Sequence, residues 1–450
     1  MKRIFFMLIA FTSISAIAQN KTITLSECIN DALANKANIK ASRTETVIAG
    51  LQNTEARGKY LPQISIAYQY IYNPVIASQV VPVGQFLPVP TSEQRAIKFG
   101  TDWQQNAGIS LFQPIVDFTI QSKIAESRIN EKIKNADLQI AGDELKFEVL
   151  KSFGKIMVLS EQKTTALIDT MRTFKSLTLI KAKLAEGKVL KTDLNKSQLN
   201  HNNALGTYKA AEAELLKEKI YLSFLTSIRL SELLDAGFDF SPLLSETNFQ
   251  SVDSVNTVAD ANFQQLDFKQ QLLIQQLKTE RRKFTPTLGL QAFLGANQFS
   301  NTFDPLLANS WYGSSNVGLS LKLPILSGEN TSSKIRQLET QAKTIDFNRD
   351  DLRAKRYKDF WQTGEDIKKA TEQIQLSESN VALLSENVSI YQDRFSAGQL
   401  TVNDLNLQEL DLQHEKTNLL KQKADLINLR IQRINTSGNL NSFIQKLKGN

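Results

Sequence analysis

The chain has 450 residues, of which 41% are hydrophobic and 22% are charged, and its 53 basic and 46 acidic residues give a formal charge of +7. This composition argues against wholesale disorder and against a bundle of apolar membrane helices, and the interleaved charges indicate no nucleic-acid binding surface. One cysteine, Cys28, excludes an internal disulfide, and with two histidines it provides too few ligands for a zinc cluster, so we expect no metal and no cofactor.

The first predicted element is a secretory signal peptide at residues 1–18. Two basic residues precede an apolar run, and Ala16 and Ala18 have the spacing of a cleavage site. An N-terminal membrane anchor is the alternative, but the apolar run is shorter than the roughly 20 residues that a membrane-spanning helix needs. A lipid anchor would require a cysteine after the cleavage site, and the chain has Gln19 there.

Prolines and repeated motifs divide the rest of the chain into two similar halves. The stretches 115–241 and 325–450 contain no proline, which favours long helices. The segment Glu186–Val189 resembles Ala397–Leu400, and the two segments lie 211 positions apart. A Gly-x-Ser-Leu motif at Gly108 recurs 210 positions later. Solenoid repeats have periods of roughly 20 to 50 residues, so this spacing predicts an internal duplication into two large lobes.

Within each half, alternation of apolar and polar residues predicts two strands joined by a long loop, at residues 73–102 in the first half and about 298–312 in the second. The proline-free stretches predict helices of roughly 100 Å. Seven-residue spacing of leucines from Leu405 onward is typical of coiled-coil packing. A helix at about 24–58 begins with a capping-box pattern. The predicted organisation is 1–18 signal peptide; 19–228 first repeat, with a helix, strands 60–72 and 103–114, long helix 117–186 and return helix 190–228; 229–262 waist; 263–437 second repeat, with a helix, strands 284–297 and 311–323, long helix 329–397 and return helix 401–437; and 438–450 tail.

The four predicted strands constrain how the chain could enter a membrane. No apolar run of the mature chain reaches the length of a spanning helix, so insertion is expected as a β-barrel or at the interface. Four strands cannot close a barrel, and an open sheet cannot expose its edges to lipid. Several chains must therefore share one barrel, and three copies would give twelve strands. Aromatic residues near the strand ends fit a membrane boundary or an ordinary sheet edge equally well, and they are Tyr60, Trp103, Trp311 and Tyr312.

The doubled layout and the two glycine turns resemble the TolC-like outer membrane factors, trimeric export ducts of Gram-negative bacteria. The resemblance covers essentially the whole mature chain. It implies an α+β membrane protein with duplicated long helical hairpins and a trimeric twelve-stranded outer-membrane β-barrel. It further implies a homotrimer in contact with outer-membrane lipid, with a long periplasmic extension. This passive tunnel would dock to a periplasmic adaptor, a membrane fusion protein, and through it to an inner-membrane pump.

The resemblance also implies roles for particular residues. Those that would contact the adaptor lie at the two tips, and they are Gly187, Lys188, Val189, Gly398, Gln399 and Leu400. Asp193 and Asp404 are candidates for the periplasmic entrance, where a three-fold ring of carboxylates favours cations. The best-known members tie their gate with an arginine and a tyrosine, but this chain has Leu400 and Phe395 at those positions. A polar lock is therefore doubtful, and closure by these two apolar residues is the alternative. Both aspartates could equally be helix N-terminal acids.

The sequence gives no reason to expect an enzyme. It contains no phosphate-binding loop, no HExxH, no CxxC and no GxSxG motif, and His201 and His414 have no suitable partners. The main prediction is an exit duct for efflux, with the outer-membrane component of type I protein secretion as an alternative. A secreted coiled-coil or adhesion protein and a self-sufficient porin are further alternatives. The pump selects the cargo in such machines, so the transported substrate stays open.

Overall fold

The computed structural model describes residues 22–82, 92, 94–244, 254–303, 305, 311–325 and 328–448. The predicted signal peptide lies outside the described residues, as do parts of the loops at 73–102 and 298–312 and of the predicted waist. Within the described part of the chain, no helix combines the length and the apolar character needed to cross a membrane.

Helices form most of the chain, and two of them are very long. The helices are α1 (Leu25–Asn35), α2 (Ala37–Gly58), α3 (Phe118–Ala185), α4 (Lys191–Thr226), α5 (Leu230–Asp235), α6 (Ser241–Leu244), α7 (Ala261–Arg282), α8 (Gly328–Ser396), α9 (Val402–Thr436) and α10 (Leu440–Lys448). The strands are β1 (Thr22–Ile23), β2 (Gln63–Tyr72), β3 (Ser78–Val81), β4 (Arg95–Lys98), β5 (Trp103–Val116), β6 (Gly237–Phe238), β7 (Thr287–Ser300) and β8 (Trp311–Lys322).

The main sheet is antiparallel and has the strand order β2-β5-β7-β8. The first-half pair β2-β5 and the second-half pair β7-β8 meet where β5 pairs with β7 along the full length of the sheet, with one irregularity near Pro114. Strands β2 and β8 are its edges. The chain also forms two helical hairpins, α3-α4 and α8-α9. The predicted fold class of duplicated long helical hairpins with four main strands is therefore confirmed.

Two small pieces of β-structure differ from the expectation of irregular chain. Residues 73–102 were expected to form a loop, but β3 and β4 pair within it as a short antiparallel hairpin. The β-branched residues Val80, Val81 and Ile97 favour extended backbone there. In the predicted waist, β6 pairs in parallel with β1 through Ile23 and Phe238, and the short helices α5 and α6 flank it.

The predicted helix at 24–58 is two helices, because Lys36 has extended backbone dihedrals between α1 and α2. Thr24 and Glu27 form the predicted capping box at its start. The Lys36 ammonium lies 3.1 Å from the centroid of the Phe224 ring and donates to the Phe224 carbonyl at 2.6 Å. Desolvation lowers the pKa of this lysine. The break between α1 and α2 therefore coincides with a contact 188 residues away in sequence.

The chain forms two compact units, and each takes segments from both sequence repeats. The first unit comprises Met1–Arg43, Ala136–Gln264 and Arg349–Asn450, and the second comprises Thr44–Asn135 and Gln265–Asn348, each taken over its described residues. The core of the first unit is a large apolar cluster drawn from distant parts of the chain, including Ile29, Phe153, Leu222, Ile431 and Phe443. The second unit contains the four-stranded sheet.

Candidate functional site: the helix turns and the two faces of the sheet

The long helices α3 and α8 end in the same backbone motif, and these two turns are the tips of the hairpins. After α3, Gly187 has φ +72°, its N–H donates to the Leu184 carbonyl at 3.0 Å, and the next N–H donates back to Lys183. After α8, Gly398 has φ +76° and the same pair of hydrogen bonds, to Phe395 and Arg394. This is a Schellman motif, which favours glycine because an L side chain is strained at positive φ. The two predicted tips are therefore sharp turns of one conformation.

The side chains of the predicted tip residues are mostly exposed. Gly187, Lys188, Gly398 and Gln399 are exposed, and Val189 and Leu400 are partly buried. Lys188 forms an ion pair with Glu186 at 2.7 Å, and this hydrogen bond and the lysine charge lower the pKa of Glu186. The tips thus present exposed backbone and a few polar groups to solvent.

An apolar cluster lies beneath the two tips and joins them. Its buried members are Ile180 from α3, Phe395 from α8, and Val402 and Leu405 from α9, with Val189, Leu194, Tyr391 and Leu400 packed around them. Lys183 lies 3.9 Å from the centroid of the Phe395 ring and donates to the Phe395 carbonyl at 3.1 Å. Lys196 donates to the side chain of Asn403. The two tips are thus held together within one chain.

The gate candidates Phe395 and Leu400 occupy different environments. Phe395 is buried inside the cluster, while Leu400 is only partly covered. The buried ring of Phe395 therefore supports the tip of its own chain.

Asp193 and Asp404 each form hydrogen bonds at the start of their own helix. Asp193 accepts the Leu190 N–H at 2.9 Å. Asp404 accepts the Thr401 hydroxyl at 2.6 Å and the Thr401 N–H at 3.1 Å, while the Thr401 hydroxyl accepts the Asp404 N–H. The hydroxyl and then the N–H of Thr401 hold the pKa of Asp404 below its ordinary value. Both carboxylates lie at a helix N-terminus, where the positive end of the helix dipole stabilises a negative charge, and both are partly exposed.

A polar cluster that was not predicted from the sequence lies farther along the hairpins. The Arg172 guanidinium of α3 forms an ion pair with Glu409 of α9 and a second one with Asp169 at 3.0 Å. Gln392 of α8 donates to the same glutamate at 3.3 Å. Burial lowers the pKa of Arg172, but the carboxylates of Glu409 and Asp169 outweigh it and raise the pKa above its ordinary value. Glu409 lies outside the seven-residue row of leucines that starts at Leu405, so that row gives no signal for this cluster.

The main sheet has two chemically different faces, which the strand register defines. The apolar face consists of Ile64, Ile66, Tyr68, Tyr70, Tyr72, Trp103, Gln105, Ala107, Ile109, Leu111, Gln113, Val116, Leu288, Leu290, Ala292, Leu294, Ala296, Gln298, Ser300, Trp311, Gly313, Ser315, Val317, Leu319 and Leu321. The polar face consists of Gln63, Ser65, Ala67, Gln69, Ile71, Gln104, Asn106, Gly108, Ser110, Phe112, Pro114, Thr287, Gly289, Gln291, Phe293, Gly295, Asn297, Phe299, Tyr312, Ser314, Asn316, Gly318, Ser320 and Lys322.

Large aliphatic side chains on the apolar face are exposed in the single chain. Six of them are between 66% and 81% exposed, namely Ile64, Ile66, Leu294, Val317, Leu319 and Leu321. Two amides of this face, Gln105 and Gln298, are buried and bond to each other at 2.5 Å, and the Tyr68 hydroxyl donates to Gln105 at 2.6 Å. An exposed apolar patch of this extent marks a surface that something else covers.

Aromatic residues cluster at the end of the sheet that carries the β3-β4 hairpin. Trp103 stacks on Tyr70 with ring centroids 5.1 Å apart, and the tilted ring of Tyr72 lies 4.4 Å away. Phe303 meets the Trp103 ring edge-on at 5.0 Å. Of the four predicted boundary aromatics, Trp103 and Trp311 lie on the apolar face, whereas Tyr312 lies on the polar face. Tyr60 precedes β2 and donates its hydroxyl to the Asp117 carbonyl at 2.8 Å.

Comparison with known proteins connects these features to one group of channels. Residues 257–444 match the family model described as outer membrane efflux protein. No curated protein matches the sequence significantly. Among solved structures, the outer membrane protein VceC from Vibrio cholerae superimposes with a TM-score of 0.71 at 13% identity, over 92% of this chain and 96% of that one.

Two further structures have the same fold. The channel-forming protein CusC gives a TM-score of 0.72 at 12% identity, over 94% of this chain and 95% of that one. The Campylobacter jejuni CmeC outer membrane channel gives a TM-score of 0.68 at 16% identity, over 92% and 85%. The predicted outer-membrane location agrees with the family match. The resemblance to the TolC-like outer membrane factors is confirmed: the chain has the fold of these channels, and residues 257–444 match the model of the outer membrane efflux protein family.

Proposed function

We propose that this protein is the outer-membrane exit duct of a tripartite efflux or secretion system. Three copies form a passive tunnel, and the tunnel docks through its helical tips to a periplasmic adaptor and, through the adaptor, to an inner-membrane pump. The energy for transport comes from the pump. The chain itself provides a path.

The observation that carries this proposal is the division of the main sheet into an apolar and a polar face. Large aliphatic side chains exposed on one side of a sheet are favourable when that side contacts lipid. The opposite, polar side then faces water. A sheet in lipid must also satisfy the backbone groups of its edges, which here are β2 and β8. Four strands are too few to close on themselves. Pairing of β2 from one copy with β8 of the next closes twelve strands in a trimer.

The tips support the docking part of the proposal. Two turns of the same conformation, with exposed glycines and polar groups, present backbone that a partner helix can approach closely. The contact residues that we propose are Gly187, Lys188, Val189, Gly398, Gln399 and Leu400. The partner is a periplasmic adaptor protein.

We further propose that Asp193, Asp404 and Leu400 line the periplasmic entrance. In a trimer each aspartate becomes a ring of three carboxylates, which favours cations in a narrow mouth. Phe395 contributes indirectly, because its buried ring holds the cluster on which Leu400 rests. Closure of the entrance is then apolar rather than a polar lock.

The test is the native mass of the protein extracted in mild detergent from separated membrane fractions. We expect a mass of three protomers, confined to the outer-membrane fraction. A soluble monomer or dimer would contradict the proposal, because the apolar face of the sheet would then need a different cover.

A further inference from the structure

The polar face of the sheet carries almost no charge. Its polar side chains are serines, asparagines, glutamines, Thr287 and Tyr312, and Lys322 is the one charged residue among its positions in the described strands. Cross-strand hydrogen bonds satisfy several of them, such as Ser65 with Ser110 at 2.8 Å and Asn106 with Asn297 at 2.9 Å. The free space in front of the polar face therefore depends on its large side chains rather than on charges.

Two phenylalanines on this face lie over glycines of the neighbouring strand in a reciprocal arrangement. A Cβ added to Gly289 of β7 would lie 2.6 Å from Cε2 of Phe112 on β5. A Cβ added to Gly108 of β5 would lie 2.5 Å from Cε2 and Cζ of Phe293 on β7. Each strand thus contributes one ring and one glycine, four residues apart, and each ring occupies the space where the opposite glycine has no side chain. Glycine within a strand often marks such a close approach.

We infer that these two phenylalanine–glycine pairs set the width of the water-filled passage through the sheet region. This inference rests on the proposed function, in which the polar face lines the passage. Side chains on a strand ordinarily stand roughly perpendicular to the sheet. The glycines allow Phe112 and Phe293 to lie against the sheet instead, so the rings of the three copies, six in all, leave the centre open.

A methyl group at either glycine removes the space that the ring occupies. Contacts of 2.5 to 2.6 Å are far inside van der Waals distance, so the ring must shift to make room for the methyl group. On this face the open direction is away from the sheet, toward the passage. Gly289 is the cleaner position to change, because its nearest backbone contact is 3.5 Å, whereas at Gly108 a backbone oxygen lies 3.0 Å away.

The experiment measures how fast reagents added outside intact cells reach a cysteine beyond the rings. Lys322→Cys places the thiol on the polar face at the helix end of the sheet, and the one native cysteine, Cys28, is buried. The probes are a small charged methanethiosulfonate and a bulky polyethylene-glycol maleimide. In the Lys322→Cys background, Gly289→Ala should slow the bulky reagent severalfold and leave the small one unchanged.

Two further variants separate ring displacement from other effects. Gly318→Ala adds a methyl to the same face with nothing within 4 Å, so it should label like the parent. Adding Phe112→Ala to Gly289→Ala removes the displaced ring and should restore the parent rate. If Gly289→Ala does not assemble, Gly108→Ala tests the reciprocal pair through Phe293 in the same way.

The outcomes distinguish this inference from the proposed function. Equal rates of bulky labelling in trimeric Gly289→Ala, Gly318→Ala and the parent would overturn the role of the phenylalanine–glycine pairs. If even the small reagent reaches Lys322→Cys only after solubilisation, the polar face does not line a passage open to the outside, and the proposed function fails instead.

Discussion

Arg172 of α3 and Glu409 of α9 form an ion pair between the two helical hairpins, although 237 positions separate them in sequence. The glutamate side chain is only 7% exposed. Asp169 and Gln392 complete the arrangement from α3 and α8. Three long helices therefore meet at one buried carboxylate, and removing its main partner leaves that charge without compensation.

Arg172→Met should destabilise the protein, because breaking a buried ion pair by removing one partner costs roughly 3–5 kcal/mol. The measurement is thermal or denaturant unfolding of the purified protein in detergent. Arg353→Met is the matched control, since its pair with Asp350 at 3.4 Å is largely exposed and should contribute nothing measurable.

The double variant Arg172→Met with Glu409→Leu should recover most of the lost stability, because both charges are then replaced by apolar groups. If Arg172→Met unfolds no more easily than Arg353→Met, the pair makes no net contribution to stability.

Alanine should have opposite effects at the tip glycines and at a glycine inside a helix. Gly187→Ala and Gly398→Ala force a Cβ into a left-handed conformation, so each should lower the free energy of unfolding by about 1 kcal/mol. Gly206 lies within α4 with nothing within 4 Å of an added Cβ, so Gly206→Ala should raise it by up to about 1 kcal/mol. Unfolding of the three single variants measures this. A gain in stability at Gly187 would show that the turn adopts another conformation in solution.

Protonation of Asp404 should loosen the first turn of α9. Its folded pKa lies below the ordinary 3.8, so its stabilising contribution is complete above that pH and is lost as the pH falls through the lowered pKa. Hydrogen–deuterium exchange at Val402–Leu405, corrected for intrinsic rates, should show protection at pH 6 that declines below about pH 3.8. Asp404→Asn should lack this decline. Equal pH dependence in both proteins would mean that another group controls the turn.

Neighbouring residues on opposite faces of β8 should respond differently to lysine. Val317→Lys places a charge on the apolar face, where a lipid-facing lysine costs about 2–4 kcal/mol near the bilayer midplane. Asn316→Lys places the same charge on the polar face, where water can solvate it. We expect Val317→Lys to reduce the amount of trimer in the outer membrane and Asn316→Lys to leave it near the parent level. Equal yields would contradict lipid contact at the apolar face.

The duplication in the sequence predicted much of the fold. Glycine is favoured wherever a helix ends in a left-handed turn, so the repeated glycines Gly187 and Gly398 were enough to predict both tips. Successive side chains of a strand point to opposite sides, so the alternating apolar residues Val317, Leu319 and Leu321 were enough to predict the apolar face of β8.

Features that depend on distant contacts were not predictable in this way. The contact of Lys36 with Phe224 at the break between α1 and α2 joins residues 188 positions apart, and no local pattern specifies such a contact. The register that places Phe112 over Gly289 joins residues from different halves, and no local pattern fixes it. The side chain of Phe395 suits either apolar closure of the entrance or a buried core, and only the packing of Ile180 and Val402 around it decides between them.

The core of the first unit has a consequence for how the chain matures. Ile29, Phe153, Leu222 and Ile431 belong to one cluster, so that cluster joins the beginning, the middle and the last part of the chain. Contacts so distant in sequence form only after the intervening chain is available. When the chain is synthesised from its N-terminus, the apolar sides of α1 and α3 therefore stay uncovered until α9 has been made. During this interval holdase chaperones and proteases would have access to these apolar sides.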